Sequence, residues 1–213
     1  DSCSSQGIVL SIAHSDATYD EVREAVKHGF RHLTHFYSDM NSIVRINGFR
    51  TMGAIEAGYD FDELWIEVIG DGCHIPPELM QYMYRHIGPS RMHLVSDSVR
   101  VAGTAEEGET VDVGSRKRKL KGIVEDGVVK FMNRSAFHGS IASGIELLRA
   151  SHLKAGLPLA ECVRMLTANP AEIMGIDSYK GNLQAEHDAD IILFDDNLQL
   201  KEVFYRGTSV YAE

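Results

Sequence analysis

Three apolar runs in this 213-residue sequence close on a side chain that can bind a metal or move a proton: IVLSIAH on His14, HLTH on His35 and MHLVSD on Asp97. Neutral imidazole is the commonest metal ligand. Two imidazoles at equivalent ends of neighbouring strands, each followed by a polar loop (HSDAT, HFYSDM), can meet at one divalent ion. Catalytic zinc usually takes three protein ligands and keeps a position for water, so a third ligand, a carboxylate, is expected on a strand before residue 1. Zinc and iron both suit such donors. Asp97 then has the chemistry of a general base that returns its proton to a leaving group; the alternative is a helix cap. His32 and His35 are an odd number apart, so on one strand they face opposite sides; His35 is the expected ligand and His32 a partly exposed histidine at the strand start.

Two further groups carry polar chemistry. Asp71-Gly72-Cys73-His74 follows the run WIEVIG, and its glycine lets a ligand approach the backbone closely. His74 can bond a substrate hydroxyl or phosphate, or only stabilise the turn. MNSIVRINGFR places Arg45 and Arg50 after His35, and guanidinium forks match phosphate oxygens.

The elements that must position these residues alternate. IVLSIA reads as a strand buried on both faces, followed by capping residues Ser15 to Thr18 and a helix over YDEVREAVKHG. HLTHF, WIEVIGDG and MHLVSD repeat the strand, with a helix from about Pro77 to His86. Strand and helix in tandem mean a parallel sheet. Chemistry at four successive strand ends is the arrangement of a (β/α)8 barrel, of which four units, half a barrel, are visible. A glycine-punctuated excursion covers about 105–132, with Glu125-Asp126-Gly127 as a hairpin turn. Helices resume with SIASGIELLRASHLKAG and PLAECVRMLTANPAEIMGI, and the tail offers short strands, ADIILFD and KEVFYRG.

Composition narrows the function classes. A net charge of −10 disfavours nucleic acid and anionic lipid as partners, and the basic run Arg116 to Lys121 reads as a solvated hairpin. Three dispersed cysteines, Cys3, Cys73 and Cys162, suggest neither a thiolate zinc site nor a disulfide framework, and the expected compartment is the cytoplasm. No apolar stretch approaches a membrane span.

In the order and context of HSDATYDE, HLTHFYSDM, IVRINGFR, DGCH, LVSDSVRVAG, SAFHGS, LTANPAEIMGI and KGNLQAEHDADIILFD, the sequence resembles the N-acetylglucosamine-6-phosphate deacetylases of the amidohydrolase superfamily. The resemblance implies an α/β fold, the second half of a (β/α)8 TIM barrel over 1–178, with a small β-sandwich segment over 179–213. It implies one divalent metal ion on His14 and His35, and Asp97 as general base and then acid. It implies substrate contacts from Ser38 and Asp39, which stand in place of an Asn-Ala pair. Arg45, Asp71, Gly72, Cys73 and His74 fall where the family binds the sugar phosphate, partly across a homodimer interface, and Phe137, His138 and Gly139 on a substrate loop after strand eight. The implied reaction is hydrolysis of N-acetylglucosamine 6-phosphate to acetate and glucosamine 6-phosphate. Alternatives are a dihydroorotase-like or deaminase-like enzyme, or a truncated barrel serving as a binding module. The family's glutamate ligand has no counterpart here, so the expectation is a portion of a longer protein, or a chain that assembles with another, and little catalysis alone.

Overall fold

The computed structural model describes every residue except Asp1, Ser2, Arg116, Arg118 and Glu213. Strand β1 (Leu10–Ile12) leads to helix α1 (Tyr19–Lys27) and strand β2 (Phe30–Leu33). A hairpin of β3 (Val44–Ile46) and β4 (Phe49–Thr51) precedes α2 (Ala54–Asp60), β5 (Trp65–Ile69), α3 (Pro77–His86) and β6 (Met92–Val95). Then come β7 (Thr110–Gly114), β8 (Lys119–Glu125), β9 (Val128–Phe131) and β10 (Phe137–Ser140). Helix α4 (Gly144–Arg149) runs into a π-helical turn (Ala150–Lys154), followed by α5 (Leu159–Leu166) and α6 (Ala168–Ile173). The chain closes with β11 (Ile191–Phe194), β12 (Leu200–Tyr205) and β13 (Thr208–Ala212).

Local chemistry explains the main boundaries. Thr18 and Glu21 form a reciprocal capping box at the start of α1, and Val22 on its inner face is fully buried. α3 begins at a proline pair and buries Met80 and Met83. Asp126 and Gly127, at φ 58° and 78°, make the tight turn between β8 and β9 that an Asp-Gly pair favours.

The fold is α/β. Strands β1, β2, β5 and β6 form a parallel sheet in that order. Its helix-covered face is apolar: Leu33, Ile66, Val68, Met92 and Leu94 pack with Val22, Met83, Leu148, Cys162 and Met165 in one core. Burial of each aliphatic side chain contributes roughly 1.5–3 kcal/mol. The other face carries Ser11, His32, Glu67 and His93. Asn169 of the LTANPAEI stretch is fully buried and donates to the carbonyls of Pro89 and Met92, tying α6 to the start of β6.

Strand β1 departs from expectation. It is an edge strand, its residues are only half-buried, and Ile8 and Val9 before it are 52% and 45% exposed, because no neighbour covers its outer side. The excursion forms an antiparallel sheet, β10-β9-β8-β7, with its own small core of Val111, Val113, Val124 and Val129. It extends past residue 132 to include β10, so Phe137, His138 and Gly139 lie on a strand and not on a loop. Arg116 and Arg118 of the basic run lie outside the described residues, while Lys119 and Lys121 pair with Asp112 across the hairpin. A three-stranded sheet, β11-β12-β13, closes the tail, held to α4 by Arg149, which donates to the Leu198 carbonyl. Among the described residues no helix is long and apolar enough to cross a membrane.

Candidate functional site

Each strand of the parallel sheet is followed, two residues beyond its end, by a polar side chain: His14 after β1, His35 after β2, Asp71 after β5 and Asp97 after β6. His14, His35 and Asp97 share an uncommon backbone, with φ of 44°, 34° and 48°. The left-handed region costs a non-glycine residue about 1–2 kcal/mol and concentrates at functional sites. The imidazoles of His14 and His35 stack with centroids 4.6 Å apart, and His35 Nδ1 is buried with no protein partner. Beside them a pocket of about 510 Å³ is lined by His14, Ser15, Asp16, Asp39, Met40 and Asn41. Ser38 is half-buried in the turn after β2, its amide donating to the His35 carbonyl, and Asp39 is exposed at φ 52°.

Behind this pair lies a second cluster. His32 is 7% exposed, not partly exposed as its position suggested, and its Nε2 lies 3.1 Å from Nε2 of His93. Glu67 Oε2 faces both rings, at 3.8 Å from His32 and 3.5 Å from His93. Its Oε1 accepts the His35 amide N–H at 2.9 Å. The alternation that was to separate residues 32 and 35 ends with β2 at Leu33; the left-handed turn at His35 brings its backbone to the same carboxylate that His32 faces. Among the described residues, His32, Glu67 and His93 form a group of three whose ligand atoms all lie within 4.8 Å of one another, close enough to hold a single metal ion. Glu67 and His93 escaped notice in the sequence. Their signal was a charged or polar residue within each of the apolar runs WIEVI and MHLV, which needs a buried partner.

Burial, then the neighbouring His93, pushes the His32 pKa down to about 4 from an ordinary 6.5, against the pull of Glu67. Burial pushes Glu67 up, but His93, the His35 amide and His32 outweigh it and hold the carboxyl below its usual range. The unfolded chain therefore binds more protons than the fold, and stability present above pH 6.5 is lost as pH falls toward 4. Unfolding of the metal-free chain in urea is expected to show lower stability at pH 5 than at pH 7.5; equal midpoints with equal slopes would refute the neutral burial of His32.

A third group sits at the end of β5. Asp71, 8% exposed, accepts the amide N–H groups of Cys73 and His74 and lies 2.7 Å from His74 Nδ1. Burial raises its pKa, and those bonds, led by His74, bring it below the usual range. Gly72 supplies the φ of 78° that this turn requires. The His74 ring meets Phe137 of β10 edge to face, centroids 4.9 Å apart, while the Cys73 thiol donates to the Asp126 carbonyl. His138 meets Phe131 instead, the rings tilted by 45° with centroids 4.1 Å apart, and its Nε2 lies 3.2 Å from the Lys121 carbonyl. A Cβ on Gly139 would meet Val99 at 2.8 Å and the Asp97 carbonyl at 3.0 Å. Arg45 stands apart on the β3–β4 hairpin, donating to Gly48 within it.

A sequence model of the amidohydrolase family matches residues 5–210. The chain belongs to the amidohydrolase family. Among curated relatives, this amidohydrolase is 29% identical to the N-acetylglucosamine-6-phosphate deacetylase of Lysinibacillus sphaericus over 97% of its own length and 50% of that protein's. Among solved structures, N-acetylglucosamine-6-phosphate deacetylase from Thermotoga maritima superimposes with a TM-score of 0.87 at 25% identity, covering 100% of this chain and 55% of that one. A mutant of the Mycobacterium smegmatis enzyme, in complex with N-acetyl-D-glucosamine-6-phosphate, gives 0.83 at 27% identity over 96% and 51%. The chain thus spans about half the length of the relatives it matches.

Proposed function

We propose that this chain carries the second half of a (β/α)8 barrel, with a small β-sandwich segment from about residue 179, and that the protein deacetylates N-acetylglucosamine 6-phosphate in the cytoplasm. The observation that carries the reading is the shared strand-end geometry: His14, His35 and Asp97 at one offset, all in left-handed backbone, with the two imidazoles stacked at 4.6 Å. The donor set suits a divalent metal. Two imidazoles in contact, one with a buried nitrogen that no protein group satisfies, offer two ligands, and the site leaves a third to a residue outside this set. A metal held there supplies Lewis acidity toward the acetamide carbonyl and acidifies water.

The chain's own residues do the rest. Asp97 accepts the proton of the attacking water and passes it to the amine nitrogen as the C–N bond breaks, giving acetate and glucosamine 6-phosphate. Asp71 fixes the His74 ring through Nδ1, leaving Nε2 for the sugar phosphate, with Phe137 packed against the ring and Gly72 and Cys73 completing the turn. Arg45 supplies a guanidinium to the phosphate of a neighbouring protomer, while Ser38 and Asp39 contact the sugar. A homodimer accounts for the apolar exposure of the arginine's own hairpin, where Val44, Ile46 and Phe49 are 37%, 45% and 78% exposed. The three free cysteines suit a reducing compartment.

The test is acetate release from N-acetylglucosamine with and without the 6-phosphate. The phosphorylated sugar is expected to react with the higher kcat/KM by at least about 10²-fold, and Arg45→Ala to raise its KM roughly tenfold or more while leaving the unphosphorylated sugar unaffected. Equal rates on the two sugars would remove the phosphate site, and with it the preference over a dihydroorotase-like or deaminase-like activity.

A further inference from the structure

The cluster behind the two stacked histidines has the form of a site in its own right. Three ligand atoms converge on one point: Nε2 of His32, Nε2 of His93 and Oε2 of Glu67, with edges of 3.1, 3.5 and 3.8 Å. A tetrahedral zinc with bonds near 2.0–2.1 Å needs ligand atoms about 3.3–3.4 Å apart, so these edges bracket the required spacing. Two of the three outward atoms are committed, while Nδ1 of His93 is buried with no protein partner. Ser11 Oγ lies 2.6 Å from His32 Nδ1, the position of a second-shell group that fixes which imidazole nitrogen faces a metal. The His35 amide occupies Oε1 of Glu67, which leaves Oε2 as a single ligand oxygen. The two rings are nearly fully buried, and the Glu67 side chain that faces them is 18% exposed.

We propose that His32, Glu67 and His93 bind a zinc-class divalent cation, distinct from the metal of His14 and His35, whose role is to position. Two histidines and one carboxylate, one from each of β2, β5 and β6, would cross-link three adjacent strands below the mouth of the sheet. Through Glu67 Oε1 the ion would also hold the His35 amide, and so the left-handed turn that presents the His35 ring. The site stands on its own geometry and does not depend on a metal at His14 and His35.

The experiment uses the full chain carrying His14→Ala and His35→Ala, stripped with a chelator and titrated with zinc or cobalt alone. The expected result is uptake of about one equivalent per chain with the intense visible bands of tetrahedral cobalt, and a rise in Tm of roughly 5–10 °C with zinc about 100-fold above Kd. Adding Glu67→Gln should weaken zinc binding by at least about tenfold. Crystals of the double variant soaked in zinc locate the ion independently of any further mutation: an anomalous peak between residues 32, 67 and 93 supports the proposal. No uptake, or a peak elsewhere, overturns it and leaves a hydrogen-bonded His-Glu-His triad.

Discussion

On the proposed function, Asp97→Asn is expected to lower the rate of acetate release from N-acetylglucosamine 6-phosphate by roughly 10³-fold, with KM little changed. Asparagine keeps the volume and can still accept a hydrogen bond, but it cannot take a proton from water or return one to the amine, and that function contributes about 10²–10⁴. The substitution suits the fold because asparagine tolerates the left-handed backbone at this position, φ 48°, as well as aspartate does. Circular dichroism and Tm should therefore match the unsubstituted enzyme. A folded variant keeping more than about a tenth of the rate would remove Asp97 from the proton path.

The second large effect concerns the stacked imidazoles. His35→Ala is expected to abolish turnover by about 10³-fold or more, as loss of a metal ligand does when the metal supplies the electrophile. His14 permits a finer measurement, since its side chain is exposed and its φ of 44° is unfavourable to any residue with a Cβ. His14→Gly and His14→Ala should both be inactive, yet glycine should be the more stable by about 1 kcal/mol, because only alanine retains the left-handed penalty. Equal stability of the two variants would show that the turn is not strained, and retained activity in both would remove His14 from the site.

Much of this architecture is written locally. The Thr18–Glu21 capping box, the Pro77 helix start, the Asp126-Gly127 turn and the polar residues closing the parallel strands each depend on neighbours in the chain, which composition and spacing reveal. The β3–β4 hairpin is equally local, since Asn47-Gly48 between the short strands VRI and FRT is a strong turn signal. What spacing cannot give is long-range partnership. His32 reads as a surface residue until β5 and β6 deliver Glu67 and His93 to the same face, 35 and 61 residues later. The period-2 argument that sets His32 against His35 does not reach His35, because β2 ends at Leu33 and His35 lies in left-handed backbone.

Val99 donates to the Ser140 carbonyl, Ser140 donates back to the Asp97 carbonyl, and the Ser98 hydroxyl donates to Ala142. The antiparallel sheet thus grips the segment around Asp97 on either side, and Gly139 sits against it with no room for a methyl group. A change in the packing of β10 therefore shifts the backbone that carries Asp97, so this sheet sets the position of the side chain proposed to move the proton.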